Sequence, residues 1–408
     1  MSGTWPRPLW RNRDFVLLCG GQAVSALGTQ VSSLALPLLV LATLHSPTQA
    51  GLIAAARSVP YLVVGLPAGA LVDRWNRKAV MIVCDLMRWL AFGSIPVAYV
   101  LHQLSIGQLY VVAVVDGTTF VFFNLAEVAA LPRVVPAPQL PHANAMNASA
   151  DAAASLLGPG LAGMIISLAG ATVGGAALAY LVDSLSYLAS ALSLSALRIS
   201  LQQTRATSTR RSLRTEIVDG LRFLWAERRV RIMALLAMNN SIFFSPVYLA
   251  LIVLARDHLQ ADARAIGLIF STASLGGLLG AVIAPWVKTR LRFGQVIIGT
   301  VIMEACAVGL LAIATTPFML VAGWGLANLA FPIYSVTNLS YRLLVVPDVF
   351  QGRVNSTARL MAFSSIAIGT AAGGVLLGPL GPRTELWIIA AGLALGAGMV
   401  SLTEIRRA

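Results

Sequence analysis

The chain has 408 residues, of which 57% are hydrophobic and only 11% are charged, and its mean hydropathy is +0.80. Soluble domains carry about 25% charged residues, so this composition excludes a water-soluble globular protein. The formal net charge of +13 raises the alternative of a nucleic-acid partner, which the placement of the basic residues must decide.

Apolar runs close to the length that crosses a bilayer, about 20 residues, recur along the whole chain. They predict twelve transmembrane helices, at about 15–41, 50–72, 79–101, 106–131, 143–169, 172–197, 231–255, 265–287, 295–315, 318–344, 354–379 and 384–403. The predicted fold is therefore an all-α integral membrane protein, with six-helix bundles at 1–199 and 230–408. The polar stretch 200–229 between them is a predicted cytoplasmic linker. In it, helical spacing of Leu213, Ile217, Leu221 and Leu224 predicts a short amphipathic helix.

The second bundle repeats the first at a constant offset of 211 positions. Small residues and prolines recur without a change of register: Gly65, Gly69, Pro136, Asn144, Gly158 and Gly163 return as Gly276, Gly280, Pro347, Asn355, Gly369 and Gly374. An offset held at helix-packing glycines and loop prolines indicates a duplicated, pseudo-symmetric membrane bundle.

The basic residues cluster in alternate connections between the spans. On one side of the membrane these connections hold only Arg256, Arg264 and Arg383 of the 29 Lys and Arg. This positive-inside pattern predicts that both termini are cytoplasmic and argues against a nucleic-acid partner. The first residues hold no short apolar run ending at a cleavage site, so we expect no removable signal peptide. Arginine-rich usage with only two lysines suggests a bacterial inner-membrane protein, and we expect a monomer.

Cysteine and histidine are too scattered to form a catalytic or metal centre. They lie singly within or at the ends of the spans, at Cys19, Cys84, Cys306, His45, His102, His142 and His258. Neither set has the spacing of metal ligands or of a nucleophile with its base. We predict no enzyme activity, no metal and no cofactor.

The loop between the second and third spans holds the most specific motif. It reads GALVDRWNRK, with motif positions at Gly69, Asp73, Arg74, Arg77 and Lys78. This stretch resembles the signature loop of the major facilitator superfamily, and the likeness extends over all twelve spans. It implies charged contacts that form and break as two halves rock, although the charges could instead only set topology. Asn76 replaces the usual glycine and is expected to take a left-handed backbone, and Gly65 with Gly69 is expected to allow close helix approach.

A second motif lies in the fifth span, at Gly158, Pro159 and Gly163 of SLLGPGLAG. It is similar to an element of the superfamily's antiporters, which implies export rather than import. The stretches ARSVPYL, CDLMR and VVDG resemble the branch of enterobactin and macrolide exporters. That branch moves hydrophobic drugs or secreted metabolites outward, driven by protons.

Charged residues inside the spans are costly and need a partner or a function. Asp85 and Arg88 lie three residues apart on one helical face, which predicts an ion pair. Asp116 has no basic residue within a helical turn and shares a face of the fourth span with Phe120, Phe123 and Glu127. We predict Asp116 as the proton-coupling residue, with Glu127, Asp183 and Glu304 as alternatives. The other interpretation is a carboxyl group that only bonds a neighbouring helix.

The resemblance places the first, fourth, seventh and tenth spans around a central cavity. Polar and aromatic side chains of these spans are the substrate-binding candidates: Gln22, Thr29, Phe120, Phe123, Asn239, Asn240, Phe243, Tyr334, Asn338 and Tyr341. This mixture suits a bulky, largely apolar organic molecule, and the acidic face suggests tolerance for cationic groups.

Together these patterns predict a proton-coupled exporter of amphiphilic small molecules in the lipid bilayer, working by alternating access. An importer or lipid mover of the same fold is an alternative. A transport-inactive receptor or scaffold is another, since fold does not fix function.

Overall fold

The computed structural model describes residues 8–72, 74–170, 172–199, 201 and 221–407, and within these residues the regular structure is helical with no strand. The helices are α1 (Arg13–Leu44), α2 (Pro47–Val72), α3 (Arg77–Val100), α4 (Ile106–Val134), α5 (Leu140–Leu168), α6 (Thr172–Ser195), α7 (Arg228–Phe244), α8 (Val247–Val253), α9 (Ala263–Arg290), α10 (Phe293–Ala312), α11 (Pro317–Val345) and α12 (Asp348–Ser401). We call α1–α6 the N-terminal half and α7–α12 the C-terminal half. Asp73 and most of the predicted linker helix lie outside the described residues.

The prediction of an α-helical membrane protein is confirmed. Ten segments of the described chain are helices long and apolar enough to cross a membrane. The last of them runs through both the eleventh and the twelfth predicted spans. It is broken at Gly381, where φ is 75° and ψ is 161° between Pro379 and Pro382. The count of twelve spans stays a prediction.

Side-chain caps explain where several of the long helices begin. In each of these helices a side-chain oxygen of the residue before the first turn accepts a hydrogen bond from a backbone N–H of that turn. The capping residues are Asn12, Asn76, Ser105, Asp262 and Thr316. The expected left-handed backbone at Asn76 is wrong. Its φ is −68°, because this residue caps α3 instead of forming a glycine-like turn.

The seventh predicted span differs from a single straight helix. It is divided into α7 and α8 at Ser245 and Pro246, where proline removes a backbone donor. Further on, a turn of π-helix at Leu254–His258 continues α8. The break lies next to Gly369 and Gly373 of α12, whose missing side chains make room for it.

The hydrophobic core shows at which end the two halves meet. We define the basic end of the bundle by Arg74, Lys78, Arg133, Lys288 and Arg290, and the other as the opposite end. One large buried cluster joins both halves, and its N-terminal members come from the opposite ends of the helices. At the basic end the buried clusters are separate, with one inside the N-terminal half and two inside the C-terminal half. The halves are therefore packed together at the opposite end and apart at the basic end.

Glycines bring helix backbones of the two halves into direct contact at the opposite end. A methyl group on Gly374 of α12 would lie 2.6 Å from Cα of Gly51 on α2. Likewise, a methyl group on Gly267 of α9 would lie 3.0 Å from Cα of Gly163 on α5, and it would also strike the carbonyl oxygen of Pro159. The antiporter-like motif thus lies in the α5–α9 contact, while its Gly158 packs on Gln30 of α1.

The expectation for Gly65 and Gly69 is wrong in this structure. A side chain at Gly69 would meet nothing within 4 Å, and one at Gly65 would meet only Tyr61 of its own helix. The close approach of α2 to α4 is made instead at Gly117, which lies against the carbonyl group of Arg57. The repeat positions Gly276 and Gly280 do pack closely, against the backbone of α11.

We expect Gly374→Ala to weaken the contact between the halves at the opposite end. The added methyl group would overlap backbone atoms of Gly51, and such overpacking costs about 1–3 kcal/mol, or roughly tenfold in the population of the closed contact. Short-reach chemical cross-linking of Thr48→Cys to Gly378→Cys, in a chain without its native cysteines, measures this population. Gly299→Ala is the control, because a side chain there meets nothing within 4 Å. Equal cross-linking in both variants would contradict this account of the interface.

Candidate transport site

Asp116 of α4 is held between two arginines of neighbouring helices. Its Oδ2 lies 2.5 Å from Nε of Arg57 on α2, and its Oδ1 lies 3.3 Å from Nε of Arg88 on α3. The Asp116 and Arg88 side chains are each only 7% exposed, whereas that of Arg57 is 40% exposed. The two guanidinium groups also lie over aromatic rings, Arg57 over Phe120 and Arg88 over Tyr187. The sequence prediction missed these partners because they come from other helices.

The predicted ion pair of Asp85 with Arg88 is therefore wrong. Arg88 turns toward α4, where its Nε also donates to the Thr119 hydroxyl at 2.9 Å. Asp85 is fully buried and faces Ser190 of α6. Three-residue spacing allows a pair within one helix, but Asp116 offers Arg88 a better partner across the helix interface.

A small cavity opens beside this charge cluster, inside the N-terminal half. Its volume is about 40 Å³, and its lining includes Thr29, Ser32, Arg57, Asp116 and Tyr180. The volume is sufficient for water but not for a drug-sized molecule. Two predicted candidates thus come together here, Thr29 and Asp116, at a site suited to protons and water rather than to substrate.

Asp183 of α6 is a second buried carboxylate of the same half. It is fully buried, its Oδ1 accepts a hydrogen bond from Ser186 at 3.1 Å, and it faces Gly28 of α1. No arginine or lysine of the described chain forms an ion pair with it. Its negative charge is therefore much less compensated than that of Asp116.

The C-terminal half also contains buried carboxylates, Glu304 and Glu385. Glu304 of α10 is fully buried beside Asn240 of α7, and neither of its oxygens has an aligned hydrogen bond within the described chain. Glu385 is 1% exposed and lies near Gly373, just after the break in α12. The sequence prediction missed Glu385, since it follows Arg383 at a span boundary. Its position inside the apolar run 384–403 could have indicated that this carboxylate is buried.

Glu127 differs from these groups because it is only partly buried. It lies on the basic-end side of Asp116 along α4, near Cys19 and Asp151. The shared face predicted for α4 is divided in the structure. Phe123 packs in the core of the N-terminal half, whereas Phe120 turns toward the C-terminal half.

The larger cavity lies in the C-terminal half, at its basic end, between α7, α11 and α12. Its volume is about 240 Å³, and the predicted candidates Tyr334 and Asn338 line it. Nδ2 of Asn338 donates to the Tyr334 hydroxyl at 3.1 Å. Of the two cavities, only this one has room for part of an organic molecule.

The remaining substrate candidates do not converge on that cavity. Asn239 donates to the Gly392 carbonyl group, Phe243 packs on Gly392, and Tyr341 stacks on Phe293. Gln22 of α1 is half-buried. These residues have the right composition for binding, but most of them are used for packing between helices.

Three side chains of the N-terminal half meet α12 near the middle of the bundle. Nη2 of Arg359 donates to Oδ1 of Asn124 at 3.2 Å, and Phe363 stacks on Tyr61 with ring centroids 3.9 Å apart. Phe120 is a more distant neighbour of Phe363, at 6.4 Å. Arg359 and Phe363 are four residues apart, so they present one face of α12 to the N-terminal half.

The basic residues of the signature loop contact their own half. Arg77 donates to the carbonyl group of Ala129 at 3.2 Å, and Lys78 donates to those of Ser195 and Leu197. These bonds tie the start of α3 to the final turns of α4 and α6, where helix dipoles favour cations. Arg74 is exposed at the basic end.

We expect Asp116→Asn to destabilise the fold by roughly 3–5 kcal/mol, because it leaves two guanidinium groups without a carboxylate. Reversible unfolding in mixed micelles measures this change. Asp257→Asn is the control. It removes an exposed carboxylate paired with Arg256, and such pairs contribute about 0–1 kcal/mol. Equal effects of the two substitutions would show that the buried cluster is not a structural ion-pair network.

Comparison with known proteins agrees with the geometry. A family model described as transmembrane secretion effector matches residues 4–408. The chain is 26% identical over 366 residues to the multidrug efflux pump Tap of Mycolicibacterium fortuitum, covering 88% of this chain and 87% of the relative. It is 24% identical over 392 residues to the enterobactin exporter EntS of Escherichia coli, covering 94% and 90%.

Solved structures show the same fold at lower identity. The nucleoside transporter NupG superposes with a TM-score of 0.76 at 14% identity, covering 95% of this chain and 98% of that one. A bacterial homologue of the iron transporter ferroportin, in an inward-facing state, superposes with a TM-score of 0.72 at 17% identity, covering 97% and 98%. With the family match spanning nearly the whole sequence, the chain belongs to the transmembrane secretion effector family of major facilitator superfamily transporters.

Proposed function

We propose that this protein is a proton-driven exporter of hydrophobic or amphiphilic small molecules, such as antibiotics, siderophores or secondary metabolites. Two proteins that are similar over most of the chain are named as a multidrug efflux pump and an enterobactin exporter. Their names support outward transport of organic compounds. The positive-inside rule favours a multi-pass protein of the bacterial inner membrane with its basic end and both termini in the cytoplasm.

The observation that carries proton coupling is the burial of carboxylates without ionic partners. Asp183 and Glu304 are each fully buried in membrane-spanning helices, and no arginine or lysine of the described chain pairs with either. An unpaired charge at such depth costs at least about 2.5 kcal/mol, so these groups gain from binding a proton. We therefore place the coupling proton first on Asp183 and Glu304. Asp116, which two arginines compensate, and the more accessible Glu127 are further candidates.

The proposed cycle follows from the packing of the halves. In the described state the larger cavity lies at the basic end, so a compound enters from the cytoplasm and binds there. The glycine contacts at the opposite end then separate, the basic ends close, and the compound leaves. Protons taken up from outside neutralise the buried carboxylates and favour the return to the described state.

The alternatives make different predictions. An importer of the same fold would move compounds in the opposite direction, and a lipid mover would act without a proton gradient. A transport-inactive receptor or scaffold would keep its activity when the buried carboxylates are neutralised.

We expect purified protein in liposomes with an acidic lumen to accumulate at least one compound from a panel of hydrophobic dyes and antibiotics. Protons then leave through the antiporter as the compound enters. Glu304→Gln and Asp183→Asn should reduce this accumulation to the level of protein-free liposomes, because neither amide can carry a proton. Both variants should still exchange labelled for unlabelled compound without a gradient.

Glu404→Gln is the matched control, because this carboxylate is 58% exposed and pairs with Arg228 at the surface. It should transport as wild type does. Gradient-driven transport that persists in both buried-site variants would remove them from the coupling role and leave Asp116 and Glu127 to be tested by Asp116→Asn and Glu127→Gln. Transport that ignores the gradient in wild type would refute proton coupling.

A further inference from the structure

The 240 Å³ cavity of the C-terminal half combines an apolar wall with two arginines. The wall contains three methionines, Met233, Met238 and Met361. Methionine side chains are flexible, so they can adapt to ligands of different shapes. The polar part of the lining comprises Tyr334, Ser335, Asn338, Arg342 and Arg359. No acidic residue lines this cavity.

Neither arginine is neutralised within the described chain. Nη2 of Arg342 donates to Oδ1 of Asn355 at 2.9 Å, and Nη2 of Arg359 donates to Oδ1 of Asn124 at 3.2 Å. Both acceptors are neutral amides, and neither arginine forms an ion pair with a described carboxylate. Guanidinium groups retain further donors and recognise carboxylate, sulfonate and phosphate groups with paired hydrogen bonds.

The positive-inside rule explains residues at helix ends but not Arg359. It lies five residues after Val354, where the apolar segment begins, or about 7.5 Å along the helix axis at 1.5 Å per residue, and it is exposed. A cation inside an apolar span is costly unless it serves a partner or a pathway. The cavity beside it supplies the space for such a partner.

We infer that this cavity binds an organic anion, with the acidic group at Arg342 and Arg359 and an apolar body along the methionine wall. This inference rests on the proposed export function and narrows its substrate class to compounds carrying a carboxylate, sulfonate or phosphate group. The volume holds the anionic end and its adjacent apolar part, while the rest of a larger compound extends toward the open basic end. The tolerance for cationic groups suggested by the acidic residues of α4 does not apply to this half.

Binding at this site also affects the contact between the halves. Arg359 uses one Nη group to hold Asn124 of α4, and Phe363, one turn further along α12, stacks on Tyr61 of α2. An anion in the cavity competes with the Asn124 amide for the same guanidinium group. Occupancy therefore loosens a hydrogen bond between the halves, at the stage when they must move.

Ligand-dependent stabilisation tests the inference without requiring transport. The full-length protein in nanodiscs of neutral phosphatidylcholine is titrated with 4-phenylbutyrate, 4-phenylbutanol or 4-phenylbutylamine, which share one apolar body, and the unfolding midpoint is followed by tryptophan fluorescence. We expect 4-phenylbutyrate to act at concentrations at least about tenfold lower than the other two. Arg342→Gln and Arg359→Gln should each weaken its effect by about tenfold or more, and Arg359→Lys should retain part of it.

Arg290→Gln removes an equivalent charge from the basic end outside the cavity and should leave the affinity unchanged. Equal effects of the three compounds, or unchanged binding in both cavity variants, would overturn the inference. Loss of 4-phenylbutyrate binding on adding phosphatidylglycerol to the nanodiscs would assign the arginines to a lipid head group and overturn the substrate assignment. Binding is measured here without a proton gradient. A failure of proton-driven transport would therefore not change the outcome of this binding test.

Discussion

The structure depends on two places where helix backbones of opposite halves touch without side chains between them. Gly51 meets Gly374, and Gly163 meets Gly267, both at the end opposite the basic residues. These contacts let α2 pack on α12 and α5 on α9, and they join the apolar interiors of both halves into one core at that end. Since the halves diverge from there, the larger cavity lies toward the basic end. Close backbone packing therefore decides both the shape of the molecule and its direction of opening.

Desolvation of charge is the second constraint, and the chain meets it in two ways. Asp116 is compensated by arginines from two other helices, which makes it part of a structural network. Asp183 and Glu304 are fully buried and form no ion pair within the described chain, so each favours binding a proton. The first arrangement favours a fixed bundle, and the second favours a group whose protonation changes during a cycle.

The two halves repeat each other in sequence but carry different chemistry. The N-terminal half contains the arginine and aspartate network around a cavity suited to water. The C-terminal half contains the larger cavity with its methionines and two arginines. Arg359 connects them, because it lines the cavity of one half and holds Asn124 of the other. Such an arrangement allows a compound in the cavity of the C-terminal half to influence the contact with the N-terminal half.

The sequence by itself determined the membrane class, the position of most helices within three residues and the superfamily. These follow from local costs: a bilayer requires long apolar runs, and close helix packing requires small residues at fixed spacing. Only the tertiary structure decided which charges are paired. Asp116 seemed isolated along α4, yet its partners Arg57 and Arg88 come from α2 and α3, and the expected pair of Asp85 with Arg88 is not formed. The buried position of Glu385 was also missed. An ion pair depends on which helix faces meet, and that is settled by the packing of several helices at once rather than by the spacing within any one of them.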